Sequence, residues 1–150
     1  MERRVFFVQA CQAASLAALG ALLPGCSGSP SSPSSSAPAL PTVNGSAASG
    51  TVTVNIDAAS PLATVGGAAL VQSGAGSFLV SQTAQGTFVA LTAICTHEQC
   101  TVTGFQSSRY VCPCHGSQYT TSGTVVQGPA TRALQQFATR FATNVLTIAL

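Results

Sequence analysis

Two short segments concentrate the metal-binding side chains of this 150-residue chain. The first is Cys95-Thr96-His97; after fourteen intervening residues comes the second, Cys112-Pro113-Cys114-His115. Both histidines of the protein lie here, each beside cysteine. C-x-H and C-x-x-H spacing lets one short loop offer a thiolate and an imidazole toward a common centre, so two such loops supply two of each. That donor set suits a structural zinc ion held tetrahedrally. It also suits a [2Fe-2S] cluster with two thiolates on one iron and two imidazoles on the other. Zinc leaves Cys100 and Cys114 without a role, and a plain disulfide framework leaves both histidines without one.

The segments Cys95-Thr-His-Glu-Gln-Cys100 and Cys112-Pro-Cys-His-Gly-Ser117 resemble the two cluster-binding loops of Rieske iron-sulfur proteins. The likeness is strongest to the subunits of quinol-oxidising cytochrome bc complexes and to arsenite oxidase small subunits. It implies that Cys95 and Cys112 ligate the inner iron of a [2Fe-2S] cluster, and His97 and His115 the outer one. It further implies a disulfide between Cys100 and Cys114, a pair missing from the ferredoxins of aromatic-ring oxygenases. Ser117 and Tyr119 match positions that donate hydrogen bonds to cluster sulfur in high-potential members. Such donors favour the reduced state, which implies a potential in the upper part of the roughly −150 to +300 mV range. Gly128-Pro129-Ala130 resembles the proline loop that covers the cluster.

By the same resemblance the chain would pass single electrons from a quinol or a membrane or periplasmic oxidoreductase to a cytochrome-type acceptor, with exposed imidazoles linking the electron to a proton. One departure bears on the partner. Glu98 and Gln99 stand where respiratory members carry an apolar tip. A carboxylate there opposes docking into an apolar quinone crater, so a standard bc complex is a poor fit.

These loops need a rigid support, and residues 51–150 read as one all-β domain, an antiparallel sandwich with the two loops at its tip. Val52, Val54 and Ile56 alternate with Thr51, Thr53 and Asn55, the period of a half-buried strand that ends at Asp57 and Pro61. Apolar runs follow at 68–71, 77–80, 87–94, 109–112, 124–126 and 145–150, separated by glycine-bearing turns. Residues 132–142 fit either a short helix or a strand, since Phe137, Thr139 and Phe141 alternate and no N-cap precedes them.

Ahead of the domain, residues 1–25 read as an export signal: Arg3 and Arg4 precede an uncharged stretch from Val5 to Leu23. The paired arginines resemble a twin-arginine signal. Leu22-Leu23-Pro24-Gly25-Cys26 resembles a lipobox, which would make Cys26 the lipid-modified first residue of the mature chain. The alternative is an uncleaved membrane anchor, for which nineteen residues are just long enough. Either places the domain outside the cytoplasmic membrane, tethered to it and facing the periplasm or cell exterior. Residues 26–50, rich in Ser, Pro and Gly, read as a disordered tether.

Composition excludes other classes. Charged residues make up 5% of the chain and the net charge is +2, with no basic stripe for nucleic acid to follow. Beyond residue 4 the acids are Asp57 and Glu98, and no nucleophile–base pair occurs outside the two boxes, so no independent substrate-transforming site is expected.

Overall fold

The computed structural model describes residues 37–150. Among them are thirteen strands and no helix: β1 (Thr42–Asn44), β2 (Ser46–Ala48), β3 (Thr51–Asn55), β4 (Ala68–Ser73), β5 (Gly76–Ala84), β6 (Thr87–Thr92), β7 (Gly104–Gln106), β8 (Arg109–Val111), β9 (Gln118–Thr120), β10 (Val125–Gln127), β11 (Gln136–Phe137), β12 (Thr139–Ala142) and β13 (Val145–Ala149). No helix of the described residues is long and apolar enough to cross a membrane. The export signal, the membrane anchor and the lipidation expected at Cys26 lie outside the described residues.

The strands form three sheets, ordered β1-β4-β5-β6-β11, β12-β13-β3-β2 and β10-β9-β8-β7. All pairings are antiparallel except β1 with β4. The five-stranded sheet is the middle layer, and its central strands β4, β5 and β6 bury apolar residues on both faces. Ala69 and Val71 of β4, with Phe78 and Val80 of β5, pack against Val52 and Val54 of β3 and Leu146 and Ile148 of β13. The alternate residues Ala68, Leu70 and Leu79 face the other way, into a second core with Val102, Tyr110, Cys112 and Tyr119. Hence β4 reads as a continuous apolar run, whereas β3, with one face toward solvent, alternates.

Two sequence expectations are corrected or resolved here. Residues 42–48, assigned to the tether by composition, are strands: Thr42–Asn44 pairs with Leu70–Gln72, and Ser46–Ala48 with Thr51–Thr53. Polar, small residues suffice because these edge strands contribute backbone hydrogen bonds more than side-chain burial. Gly45 between them is required by crowding, since a Cβ there would come within 2.7 Å of Val52 Cγ1. Residues 37–40 are also structured: Leu40 N–H donates to Thr103 O (2.7 Å) and Phe105 N–H to Pro38 O (2.8 Å), along the edge of β7. The segment 132–142 forms strands, β11 pairing with β6 and β12 with β13, and no helix. Phe137 stacks edge-on against Phe78 at 5.1 Å between centroids, and that burial on the sandwich outweighs any helical preference.

Candidate metal centre

Both boxes lie in closed loops of the outer core. The first follows β6 and is pinched shut by the bridge Ile94↔Thr101 and by Cys95 N–H donating to Cys100 O at 2.8 Å. The second joins β8 to β9. There Cys112 N–H donates to Ser117 O (2.8 Å) and Gly116 N–H to Cys112 O (3.0 Å). Gly116 has φ +76°, a turn conformation that glycine adopts without cost.

A disulfide between Cys100 and Cys114 joins the two loops, as the family resemblance implied. The other two cysteines of the described residues, Cys95 and Cys112, are buried at the loop bases, 4% and 1% exposed. The imidazoles of His97 and His115 are exposed at the tips with ring centroids 4.9 Å apart and planes nearly perpendicular. The four donors therefore fall into a buried sulfur pair and an exposed nitrogen pair. Ligation at two depths suits a two-metal group with unlike irons better than one ion drawing four ligands to a single point.

Hydrogen bonding around Cys95 is directional. Thr96 N–H donates to Tyr119 Oη at 3.2 Å, and Thr96 Oγ1 donates to the Arg132 carbonyl at 2.6 Å. With the threonine proton engaged, the contact of Tyr119 Oη with Thr96 Oγ1 (3.1 Å) relies on the tyrosine's own proton, and so does its contact with Cys95 Sγ (3.2 Å) whenever that sulfur is a thiolate. An anionic sulfur is the stronger acceptor of the two. Burial penalises the Cys95 thiolate most, but the Tyr119 hydroxyl and the backbone amides at His97 and Glu98 outweigh it, so the thiol pKa falls below its ordinary value. Cys112 moves the opposite way, raised by burial and by the neighbouring Cys95.

Ser117 is fully buried, and its Oγ accepts Ala130 N–H at 3.0 Å, which leaves its own proton to donate. In the segment Gly128-Pro129-Ala130 the Gly128–Pro129 peptide is cis, Pro129 is exposed, and Ala130 is the residue that packs into the core with Cys95 and Cys112. Sequence reasoning missed Thr96, which ties the first loop to both Tyr119 and Arg132; a threonine between a cysteine and a histidine gives no composition signal. It also missed the approach of Glu98 Oε2 to His115 Nδ1, 3.7 Å across the two loops. A groove of about 510 Å³ beside His97 is lined by Ile94, Glu98, Gln99, Arg132 and Gln135 among others.

A family model described as "Rieske [2Fe-2S] domain" matches residues 54–138, more than half of the chain. The chain belongs to the Rieske [2Fe-2S] domain family. Its Rieske domain is similar to the chloroplastic cytochrome b6-f complex iron-sulfur subunit of Bigelowiella natans, 56% identical over 46 residues, which are 30% of this chain and 18% of that protein. A cytochrome b6-f complex iron-sulfur subunit of Prochlorococcus marinus (strain AS9601) is 53% identical over 45 residues, 29% of this chain and 25% of its own length. The matched stretch thus spans about a fifth to a quarter of these relatives.

The crystal structure of the cyanobacterial plasma membrane Rieske protein PetC3 from Synechocystis PCC 6803 superposes with a TM-score of 0.51 at 30% identity, covering 56% of this chain and 87% of that one. A complex of oxygenase and ferredoxin in carbazole 1,9a-dioxygenase shares the fold at 24% identity, with a TM-score of 0.50 over 65% of this chain and 92% of that one. The cofactor of the Rieske domain is a [2Fe-2S] cluster, and the paired thiols and imidazoles fit it. The structural-zinc alternative is set aside by family membership and by the separation of sulfur and nitrogen donors in depth.

Proposed function

We propose that this chain transfers single electrons, with Cys95 and Cys112 as ligands of the inner iron and His97 and His115 as ligands of the outer one. When bound, the [2Fe-2S] cluster supplies a one-electron redox centre. The observation that carries the reading is the pair of exposed imidazoles set above two buried sulfurs on disulfide-linked loops. The chain's own residues then have separable tasks. Tyr119 donates to Cys95 sulfur and Ser117 holds a second proton in the same core, both favouring added negative charge. Ala130 and the apolar outer core keep water from the sulfurs. His97 and His115 face solvent, where the ring nitrogen left outside the centre can hold or release a proton.

The donor is a quinol or a membrane or periplasmic oxidoreductase, and the acceptor is of cytochrome type. The b6-f subunit names of the relatives support an oxidoreductase partner. Glu98, exposed beside His115, and the groove with Arg132 make the docking tip polar, which favours a polar partner face over an apolar crater. The domain works outside the cytoplasmic membrane, tethered through its N-terminal region by lipid at Cys26 or by an uncleaved anchor. The plasma membrane setting of PetC3 supports membrane association alone, and mass spectrometry of the mature N-terminus separates the two anchors.

Anaerobic purification followed by iron and sulfide assay and electron paramagnetic resonance tests the function. The expected result is two irons per chain and a reduced-state signal with mean g below the free-electron value, lost in Cys95→Ser and Cys112→Ser. Iron-free protein after proper maturation overturns the reading.

A further inference from the structure

At the end of β6 away from Cys95 lies a second cavity of about 300 Å³, between the five-stranded sheet and the β3–β13 sheet. Its size falls at the lower end of ordinary ligand sites. Leu62, Phe88 and Phe141 form an apolar wall, the two rings packed 4.9 Å apart between centroids. Asp57, Gln82 and Asn144 supply the polar side.

Two features are unexplained by folding alone. Gln82 lines this cavity although it is only 3% exposed, and its amide oxygen is buried without a hydrogen-bond partner. Such an orphaned acceptor destabilises the fold unless something fills the need. Asp57 is the single ionised side chain among the lining residues, and one of just two acids in residues 37–150. Its Oδ1 is engaged by Ala59 N–H at 2.9 Å, which fixes the carboxylate at the rim.

The walls are fixed in advance. Ser60 N–H donates to Asp57 O, Ala63 N–H to Ser60 O, and Ile56 N–H to Asn144 O. The Gln82 backbone is held from both sides, its N–H donating to Gly67 O and its carbonyl accepting from Gly66 N–H. Little ordering entropy remains to oppose a ligand.

We propose that this cavity binds an organic cation, an ammonium or guanidinium carried on a short apolar stem. The carboxylate sets the sign of the charge, the amide oxygen accepts a donated proton, and the phenyl faces favour both the cation and its methylenes. The same chemistry comes from a free alkylamine or alkylguanidine, or from an arginine side chain of a partner polypeptide.

The test is an amide chemical-shift titration of the ¹⁵N-labelled, cluster-loaded full chain. The six residues of β6 put the cavity about 20 Å from the first loop, beyond severe paramagnetic broadening. Butylguanidinium is compared with butylurea, its uncharged near-isostere, and with acetyl-Gly-Arg-Gly-amide. Butylguanidinium is expected to give saturable shifts at residues 56–63, 82 and 144, about tenfold tighter than butylurea. Asp57→Asn and Gln82→Leu should each weaken binding about tenfold while the cluster's spectrum is unchanged. Asp57 is exposed, so its variant keeps the test valid if the buried one fails to fold. Tighter binding of the peptide assigns the ligand to a polypeptide partner, and weaker binding to a small free cation. Absence of saturable shifts, equal binding of butylurea, or full affinity in Asp57→Asn overturns the proposal.

Discussion

The two tyrosines of the chain are both completely buried, yet only one hydroxyl has a hydrogen-bond partner. Tyr119 reaches Cys95 sulfur, and burial together with that bond raises its pKa. Tyr119→Phe keeps the ring and removes the donor, so the reduced state loses one charge-assisted hydrogen bond. The midpoint potential should fall by about 60 mV, the one-electron equivalent of roughly 1.4 kcal/mol, as measured by redox titration. Tyr110 is the contrary case: its hydroxyl has no partner in hydrogen-bond geometry, with the similarly orphaned Ser81 Oγ as a weak influence. Burial pushes its pKa up to about 12 from 10. The folded state therefore favours the protonated phenol. That contribution is complete below pH 10 and is lost as pH rises through 12, for about 2 to 3 kcal/mol in all. Tyr110→Phe should melt no lower than the parent at neutral pH and should lose less stability between about pH 10 and 12, read by denaturant unfolding.

At the scale of elements, the two Cys-His loops are each closed by backbone hydrogen bonds and then joined by Cys100–Cys114. The bridge spans fourteen residues, a loop whose cross-linking limits the unfolded chain by about 3 kcal/mol. Cys100→Ala with Cys114→Ala should lower thermal stability by that order and speed cluster loss, followed as bleaching of visible absorbance. The family was legible from the two Cys-His boxes because histidine is rare in this chain and the spacing of the boxes is chemical. Strand β3 was legible because one of its faces meets water, so Val52 and Val54 alternate with polar neighbours. Strands β1 and β2 were not, because an edge strand of Thr, Asn, Ser and Ala is held by its backbone and looks like linker. The two-sided burial of β4 was also hidden, since an uninterrupted apolar run tells burial but not which residue faces which layer. Thr96 escaped notice because its role depends on Tyr119, 23 positions away, and Ala130 was read only as part of the Gly128-Pro129-Ala130 loop because its bond to Ser117 spans 13 positions.

Across the whole molecule, charge is sparse. Residues 37–150 carry Arg109, Arg132 and Arg140 against Asp57 and Glu98, three minus two for a net +1. Long-range steering is correspondingly weak, so the second-order rate of electron transfer to a soluble cytochrome should change by less than about threefold between 10 and 200 mM salt, as seen by stopped flow. The entry of the chain into this domain has a mechanical corollary. Residues 37–40 run along the edge of β7 before Thr42–Asn44 crosses to β4, so the first hydrogen bonds to bear a load applied from the N-terminal side belong to the layer that carries the second Cys-His loop. A pull applied ahead of Ala37 would peel Pro38 and Leu40 from that edge before it sheared the sandwich beneath, making this layer the first part of the domain to feel such a load.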